Sequence, residues 1–172
     1  EATELLSKVQ NKSRELSGLI TEVLAFAVRI NDVQLKEFCI RELTGWEGVD
    51  RSKMNSEDYT HRMLSCYISS TEKINFQYAG WNNNPAQILQ YLKNNPEKSY
   101  AREVYCPYSI SKLENQPPPT GKALLSFEVK AIDYYVNVNP SATVEAYTRE
   151  DSYVMVMENV RTELTKRLVA LI

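Results

Sequence analysis

The stretch from Leu24 to Trp46, LAFAVRINDVQLKEFCIRELTGW, constrains the fold of this chain more than any other part of its sequence. It predicts two amphipathic helices that are joined by a tight turn at Asn31-Asp32. The side-chain oxygen of Asp32 can accept a hydrogen bond from the unpaired amides that begin a helix. Gly45 fits the left-handed conformation that often follows a helix. The segment therefore predicts a helical hairpin, after which we expect the side chain of Trp46 to be exposed.

The second helix of this hairpin has a predicted inner face and a predicted outer face. Apolar side chains recur along it at spacings of three and four and are predicted to face the core: Leu35, Phe38, Cys39 and Leu43. We expect Glu42 to face away from the core, together with the other charged residues of this helix.

Length and charge limit the class of protein. The chain has 172 residues, which is enough for a core, and we expect a single domain over residues 1–172. Because the first residue is Glu1 and not Met, we expect a piece of a larger protein. The net charge of −2 argues against binding of nucleic acid by overall charge, and only a local basic patch would permit it. No run of about 18 apolar residues occurs, so we expect no membrane span.

Three cysteines and one histidine limit the chemistry. Cys39, Cys66 and Cys106 are widely spaced without a CxxC pair, which predicts reduced thiols in a cytoplasmic protein. A zinc site needs two or three clustered His or Cys ligands, so we expect neither a metal ion nor a cofactor. A catalytic pair of Cys66 and His61 is an alternative that the sequence leaves open.

Apolar spacing predicts the other elements. Helices are predicted at Thr3–Val9, from a cap at Asn11 or Ser13 to Ala27, at Pro85–Leu92, at Ser109–Leu113 and from Tyr153 to Leu171, in a last helical region that begins at Asn139-Pro140. The apolar stripe of the last helix is predicted to consist of Val154, Met157, Val160, Leu164, Leu168 and Leu171. Alternation predicts strands at Arg62–Ile68, Ile74–Tyr78 and Leu125–Ala131. We therefore predict an α+β fold, in which an N-terminal helical hairpin and a long C-terminal helix pack with a small, mainly antiparallel sheet.

Two sets of residues are candidates for interaction. Arg41-Glu42 with Trp46 is a candidate recognition surface, because Arg presents a planar fork of donors and Trp a large amphipathic face. In the simpler interpretation, Arg41 is solvated and Trp46 packs over the helix end. Arg161 interrupts an apolar stretch. It either docks the last helix through an ion pair with Glu158 or Glu42, or binds a phosphate or carboxylate.

Charged residues elsewhere give weaker candidates. Basic and aromatic side chains that would suit single-stranded nucleic acid are interleaved with acids that cancel their charge: Arg51, Lys53, Tyr59, His61, Arg62 and Tyr67. The acidic pairs at 57–58 and 150–151 would hold Mg²⁺ in a nuclease only if they converged beside a lysine or histidine. We therefore predict no catalytic residue, and as interaction residues Arg41, Glu42, Trp46, Arg62 and Arg161.

Four segments of the chain resemble the AbiTii domain family. Residues 35–46, LKEFCIRELTGW, are similar to its helix that ends in Glu-Leu-x-Gly-aromatic, and residues 157–171, MENVRTELTKRLVAL, to its closing Val-Arg-x-x-Leu helix. Residues 16–32 resemble its aliphatic helix and small polar turn, and residues 58–63, DYTHRM, its Tyr-Arg step into a strand. The chain departs from the family's pattern in having Phe38 for Trp and Trp46 for Tyr, and in the inserted pair Thr60-His61.

The resemblance implies a module of prokaryotic abortive-infection defence against phage, often joined to other domains, without an established catalytic activity or cofactor. We therefore expect a non-catalytic interaction or regulatory module that acts by protein–protein contact or by self-association into an oligomer. The alternatives are a sensor that binds nucleic acid or a nucleotide ligand, and a metal-dependent nuclease whose site the sequence does not reveal.

Overall fold

The computed structural model describes most of the chain as two compact units. The described residues are 1–47, 49, 54–69, 94, 99–116, 124–130, 143–149 and 151–172. The first unit, called the helical unit below, consists of Glu1–Arg62, Tyr105–Pro117 and Tyr153–Ile172. The second, called the strand unit, consists of Met63–Val104 and Pro118–Ser152. The single-domain expectation stays a prediction.

The described part of the helical unit is built from α-helices and two short 3-10 turns. In chain order the helices are α1 (Ala2–Gln10), α2 (Leu16–Ile30), α3 (Val33–Thr44), α4 (Ile110–Glu114) and α5 (Ser152–Val169). The 3-10 turns, Ser56–Asp58 and Thr60–Arg62, lie between α3 and the first strand. Among the described residues, none of the helices combines the length and the apolar composition that crossing a membrane would require.

The predicted helical hairpin is confirmed as α2 and α3. The Asp32 side chain accepts a hydrogen bond from the Leu35 amide at 3.0 Å, and Asn31 before it takes a left-handed conformation with φ 60°. Gly45 ends α3 with φ 93° and ψ 171°. The positive φ agrees with the prediction, but the extended ψ places Gly45 outside the left-handed helical region. A Cβ at Gly45 would lie 3.0 Å from the Pro107 carbonyl oxygen, which is a second reason for glycine at this position.

The predicted cap of α2 is wrong. We expected Asn11 or Ser13 to accept hydrogen bonds from the first amides of this helix. The carboxylate of Glu114, at the end of α4, accepts them instead, from the Leu16 amide and from the Ser17 amide at 3.1 Å. A carboxylate is suited to this place because the N-terminus of a helix carries partial positive charge.

The last helix buries one stripe that recurs at spacings of three and four: Tyr153, Val156, Val160, Leu164 and Leu168. Val154 and Leu171, which we expected in this stripe, are 41% and 39% exposed. The guanidinium of Arg167 lies 4.5 Å from the centroid of the Phe38 ring, so α5 contacts the hairpin at α3.

Four strands are described in the strand unit: β1 (Met63–Ser69), β2 (Ser99–Tyr105, which ends in the helical unit), β3 (Leu124–Lys130) and β4 (Thr143–Arg149), in the order β2-β1-β4-β3. β4 pairs antiparallel with β1, where Tyr67 is the partner of Tyr147, and with β3, where Phe127 is the partner of Ala146.

The predicted strands at 62–68 and 125–131 lie within one residue of β1 and β3. Residues 143–149 are a strand, so the last helical region does not begin at Asn139-Pro140. The predicted strand at 74–78 and helix at 85–92 lie outside the described residues.

The predicted fold class, α+β, is wrong. For part of the described chain the side chains are described as well as the backbone. Of these residues 70% are helical, in five helices, and they include one short strand and no sheet. The prediction packed the hairpin and the terminal helix together with a small sheet. The helices contact one another, α2 with α1, α3 and α4, and the apolar stripes of a helical hairpin can cover each other without a sheet.

The stripe of α5 gives a test of this core. Leu164 is fully buried, so Leu164→Ala is expected to lower the free energy of unfolding by about 2–5 kcal/mol, since it removes buried methyl groups and leaves a cavity. Denaturant unfolding followed by circular dichroism measures the loss. Val169→Ala is the control on the same helix, because Val169 is 54% exposed and its truncation should change the stability by less than about 0.5 kcal/mol. Equal effects of the two substitutions would contradict a core position for Leu164.

Candidate functional site

The candidate site is a group of four buried side chains, called the Glu42 cluster below. Glu42 lies in the last turn of α3, and Trp46 follows the Gly45 that ends this helix. His61 and Arg62 come from the 3-10 turn that precedes β1. Glu42, Trp46 and Arg62 are 0% exposed and His61 is 6% exposed. Charged side chains are rarely buried to this extent unless they are paired, so their partners determine what the cluster can do.

The carboxylate of Glu42 is the centre of the cluster. Its Oε1 accepts a hydrogen bond from Trp46 Nε1 at 3.2 Å and lies 2.6 Å from His61 Nε2. Its Oε2 accepts hydrogen bonds from Arg62 Nε at 2.9 Å and from Arg62 Nη2. An ionised carboxylate only accepts hydrogen bonds, so His61 carries a proton on Nε2. Both oxygens of Glu42 are therefore satisfied within the protein.

The cluster keeps the Glu42 carboxylate ionised. Burial by itself would raise the pKa of this carboxyl. The hydrogen bond from His61 and the charge of Arg62 outweigh burial, and the pKa of Glu42 lies below its ordinary value. Arg62 also donates from Nη1 to the Tyr108 carbonyl at 2.5 Å, so its guanidinium has partners on two segments of the chain.

Aromatic rings enclose the imidazole of His61. The Phe38 ring lies 5.5 Å from it and the Trp46 ring lies edge-on at 5.6 Å, between centroids. The Nδ1 atom of His61 and the Nε atom of Arg167, whose guanidinium lies over Phe38, are buried without a hydrogen-bond partner among the described residues. Buried polar atoms without a partner are uncommon in folded proteins and costly in free energy.

The structure brings three of the five predicted interaction residues into this cluster: Glu42, Trp46 and Arg62. The expectation of an exposed Trp46 is wrong, because its indole N–H finds an acceptor in Glu42 and the ring can then be buried at the helix end. The expectation that Glu42 faces away from the core is also wrong. Glu42 follows Phe38 by four residues and therefore lies on the same inner face of α3.

The other two predicted interaction residues lie outside the cluster. Arg41 is half-buried, with its guanidinium 5.9 Å from the Trp46 ring centroid and 3.8 Å from the Glu37 carboxylate. Arg161 donates to the carbonyls of Val9 at 3.1 Å and Arg14 at 2.7 Å. Arg161 thus joins α5 to the end of α1 and to the segment that follows it, as in the docking interpretation, but through carbonyls where we had expected a carboxylate.

The buried thiols are poor nucleophiles. Burial, reinforced by the negative charge of Glu42, raises the pKa of the Cys39 thiol to about 12. Burial also raises the pKa of the Cys106 thiol. Both cysteines are free and remain protonated at neutral pH. The side chain of Cys66 lies outside the described ones, so the alternative pair with His61 stays untested.

Sequence reasoning missed His61 as a partner of Glu42, because it assigned His61 to a basic loop. An acid on the apolar stripe of a helix was the available signal, since a buried carboxylate needs donors nearby.

Within the described part of the chain, no three His, Cys, Asp or Glu side chains are grouped so that they could hold a metal ion. Comparisons with known proteins give no match, whether with family models, curated proteins or solved structures.

Proposed function

We propose that this chain is a non-catalytic interaction module that acts by protein–protein contact or self-association. The observation that carries the proposal is a group of exposed apolar side chains at the turn between α2 and α3. Val28 is 55% exposed, Ile30 43% and Val33 59%. These three exposed apolar residues lie within six positions of each other in the sequence, on both sides of the turn. An apolar surface of this kind is typical of sites that bind another protein.

The chemistry of the Glu42 cluster argues against a catalytic role for its four residues. A catalytic carboxylate or imidazole has to reach a substrate. Glu42 has all its described hydrogen bonds within the protein, and Phe38 and Trp46 flank the imidazole of His61. These groups hold two segments of the chain together, which is a structural task. The setting of prokaryotic antiphage defence comes from the resemblance of residues 35–46 and 157–171 to the AbiTii domain family and belongs to the proposal.

Val33→Asp tests the exposed turn. Val33 is the first residue of α3, where a carboxylate is favourable for the helix, so the fold should persist. Gln34→Asp is the matched control, because it introduces the same side chain at the next exposed position. We expect wild-type chains and the control to self-associate in sedimentation experiments, and Val33→Asp to weaken that association at least tenfold, about 1.4 kcal/mol.

Two results would contradict the proposal. One is equal association of Val33→Asp and Gln34→Asp, which would show that the turn is not the contact surface. The other is a monomer at all concentrations that cleaves nucleic acid in Mg²⁺ or Mn²⁺, which would favour the nuclease alternative.

A further inference from the structure

The Glu42 cluster lies where the main chain first leaves the helical unit and first returns to it. Arg62 is the last residue before the strand unit, and Tyr105 is the first residue after the return. The Cys106 amide donates to the Arg62 carbonyl at 2.7 Å, and the Trp46 amide donates to the Pro107 carbonyl at 2.8 Å. With the bond from Arg62 to the Tyr108 carbonyl, both segments are joined to each other and to the end of α3.

The cluster combines strong hydrogen bonds with the unfavourable burial of charged and polar groups. Charge-assisted hydrogen bonds such as those between Arg62 and Glu42 are among the strong ones in proteins. The free-energy cost of burying both charges, and His61 Nδ1 without a described partner, offsets part of the stability that these bonds contribute. Removal of Glu42 or of Arg62 leaves the other buried charge without compensation, so the contacts of these two residues are made and lost together.

The rest of the helical unit does not depend on these four residues for its contacts. The amides at the start of α2 are bound by Glu114, and Arg161 joins α5 to carbonyls near α1. The stripe of α5 is buried along its length to Leu168. Separation of the cluster therefore leaves these contacts of α2 and α5 in place, although release of Tyr108 also separates its ring from that of Tyr153 on α5, 5.9 Å away between centroids.

We propose that the Glu42 cluster is a conformational latch, which holds Thr60–Arg62 and Cys106–Tyr108 on the end of α3 and, on release, uncovers Trp46 and Phe38 while the helices stay folded. The uncovered face holds Trp, Phe and Arg side chains, and Trp and Arg are among the residues that contribute most to protein–protein binding. The latch is independent of the proposed contact at the turn between α2 and α3.

Hydrogen exchange of individual amides tests the latch. Glu42→Gln keeps the shape of the side chain and removes its charge. Glu37→Gln is the matched control, because the Glu37 side chain is 57% exposed on the same helix. We expect the exchange of the Trp46, Arg62 and Cys106 amides to accelerate in Glu42→Gln at least tenfold more than that of amides in the middle of α2 and α5. Equal acceleration in all helices, or no acceleration at the three amides, would overturn the latch.

A second variant covers the case in which Glu42→Gln does not fold. Arg62→Lys keeps the positive charge but loses the planar fork that binds both Glu42 and Tyr108. In a Trp81→Phe background Trp46 is the only tryptophan, and acrylamide quenching reports its exposure. We expect Arg62→Lys to raise the quenching constant severalfold with unchanged helix content. Quenching equal to that of the Glu37→Gln control would refute a releasable latch.

Discussion

Replacing Glu42 with alanine is expected to lower the free energy of unfolding by about 3–5 kcal/mol, the loss typical of a buried ion pair that has one partner removed. The cause is Arg62, which is fully buried and would keep its charge without a carboxylate. Denaturant unfolding followed by far-UV circular dichroism measures the loss. Glu37→Ala is the control, with an expected change below about 0.5 kcal/mol because its side chain is 57% exposed. Equal losses in both variants would contradict the paired, buried state of Glu42.

The same variant has a second readout in the pH dependence of stability. The pKa of Glu42 is lower in the folded protein than the ordinary value of 4.5. The stability that the ionised Glu42 contributes is therefore fully present above the pKa of the unfolded chain. It is lost as the pH falls through the pKa of the folded protein. We expect the difference in unfolding free energy between wild type and Glu42→Ala to be constant near neutral pH and to shrink below about pH 4.5. A difference that grows on acidification would have the wrong sign.

Trp46→Ala is expected to cost about 3–5 kcal/mol, because it removes the largest fully buried side chain among the described residues and leaves a cavity beside His61. Thermal or denaturant unfolding measures the change. Trp46→Phe separates two causes, since phenylalanine keeps much of the apolar ring and loses the N–H bond to Glu42. We expect Trp46→Phe to lose less than half as much stability as Trp46→Ala.

Val33→Ala is the control for this loss of apolar volume, because Val33 is 59% exposed. Its expected effect is below about 0.5 kcal/mol. A Trp46→Ala variant as stable as Val33→Ala would mean that Trp46 is an exposed contact residue, as in one of the two interpretations of the sequence.

The helical hairpin could be predicted because its signals are local. Apolar spacing, the Asp32 cap and the positive φ of Gly45 all act within a few residues, and the structure agrees with each of them. The strands at β1 and β3 were likewise close to their predicted places. Local alternation predicts a strand but not how much of the fold strands make up, and for this reason the fold class was wrong.

The buried cluster could not be predicted from residue type alone. A glutamate on a helix is normally solvated, and Glu42 is buried only because His61 and Arg62 arrive from another segment about 20 residues later. β4 was missed for a different reason. Asn139-Pro140 indicated the start of a helix, whereas pairing of residues 143–149 with β1 and β3 determines their conformation.

The cap of α2 has a consequence for the order in which the protein forms during synthesis. Glu114 is 98 positions after Leu16, so the first turn of α2 leaves the ribosome long before its acceptor is made. At about 5–20 residues per second, this delay lasts on the order of 5–20 s. The stripe of α5 comes later still. The hairpin of α2 and α3 thus spends this interval, and the later synthesis of α5, with part of its apolar surface uncovered.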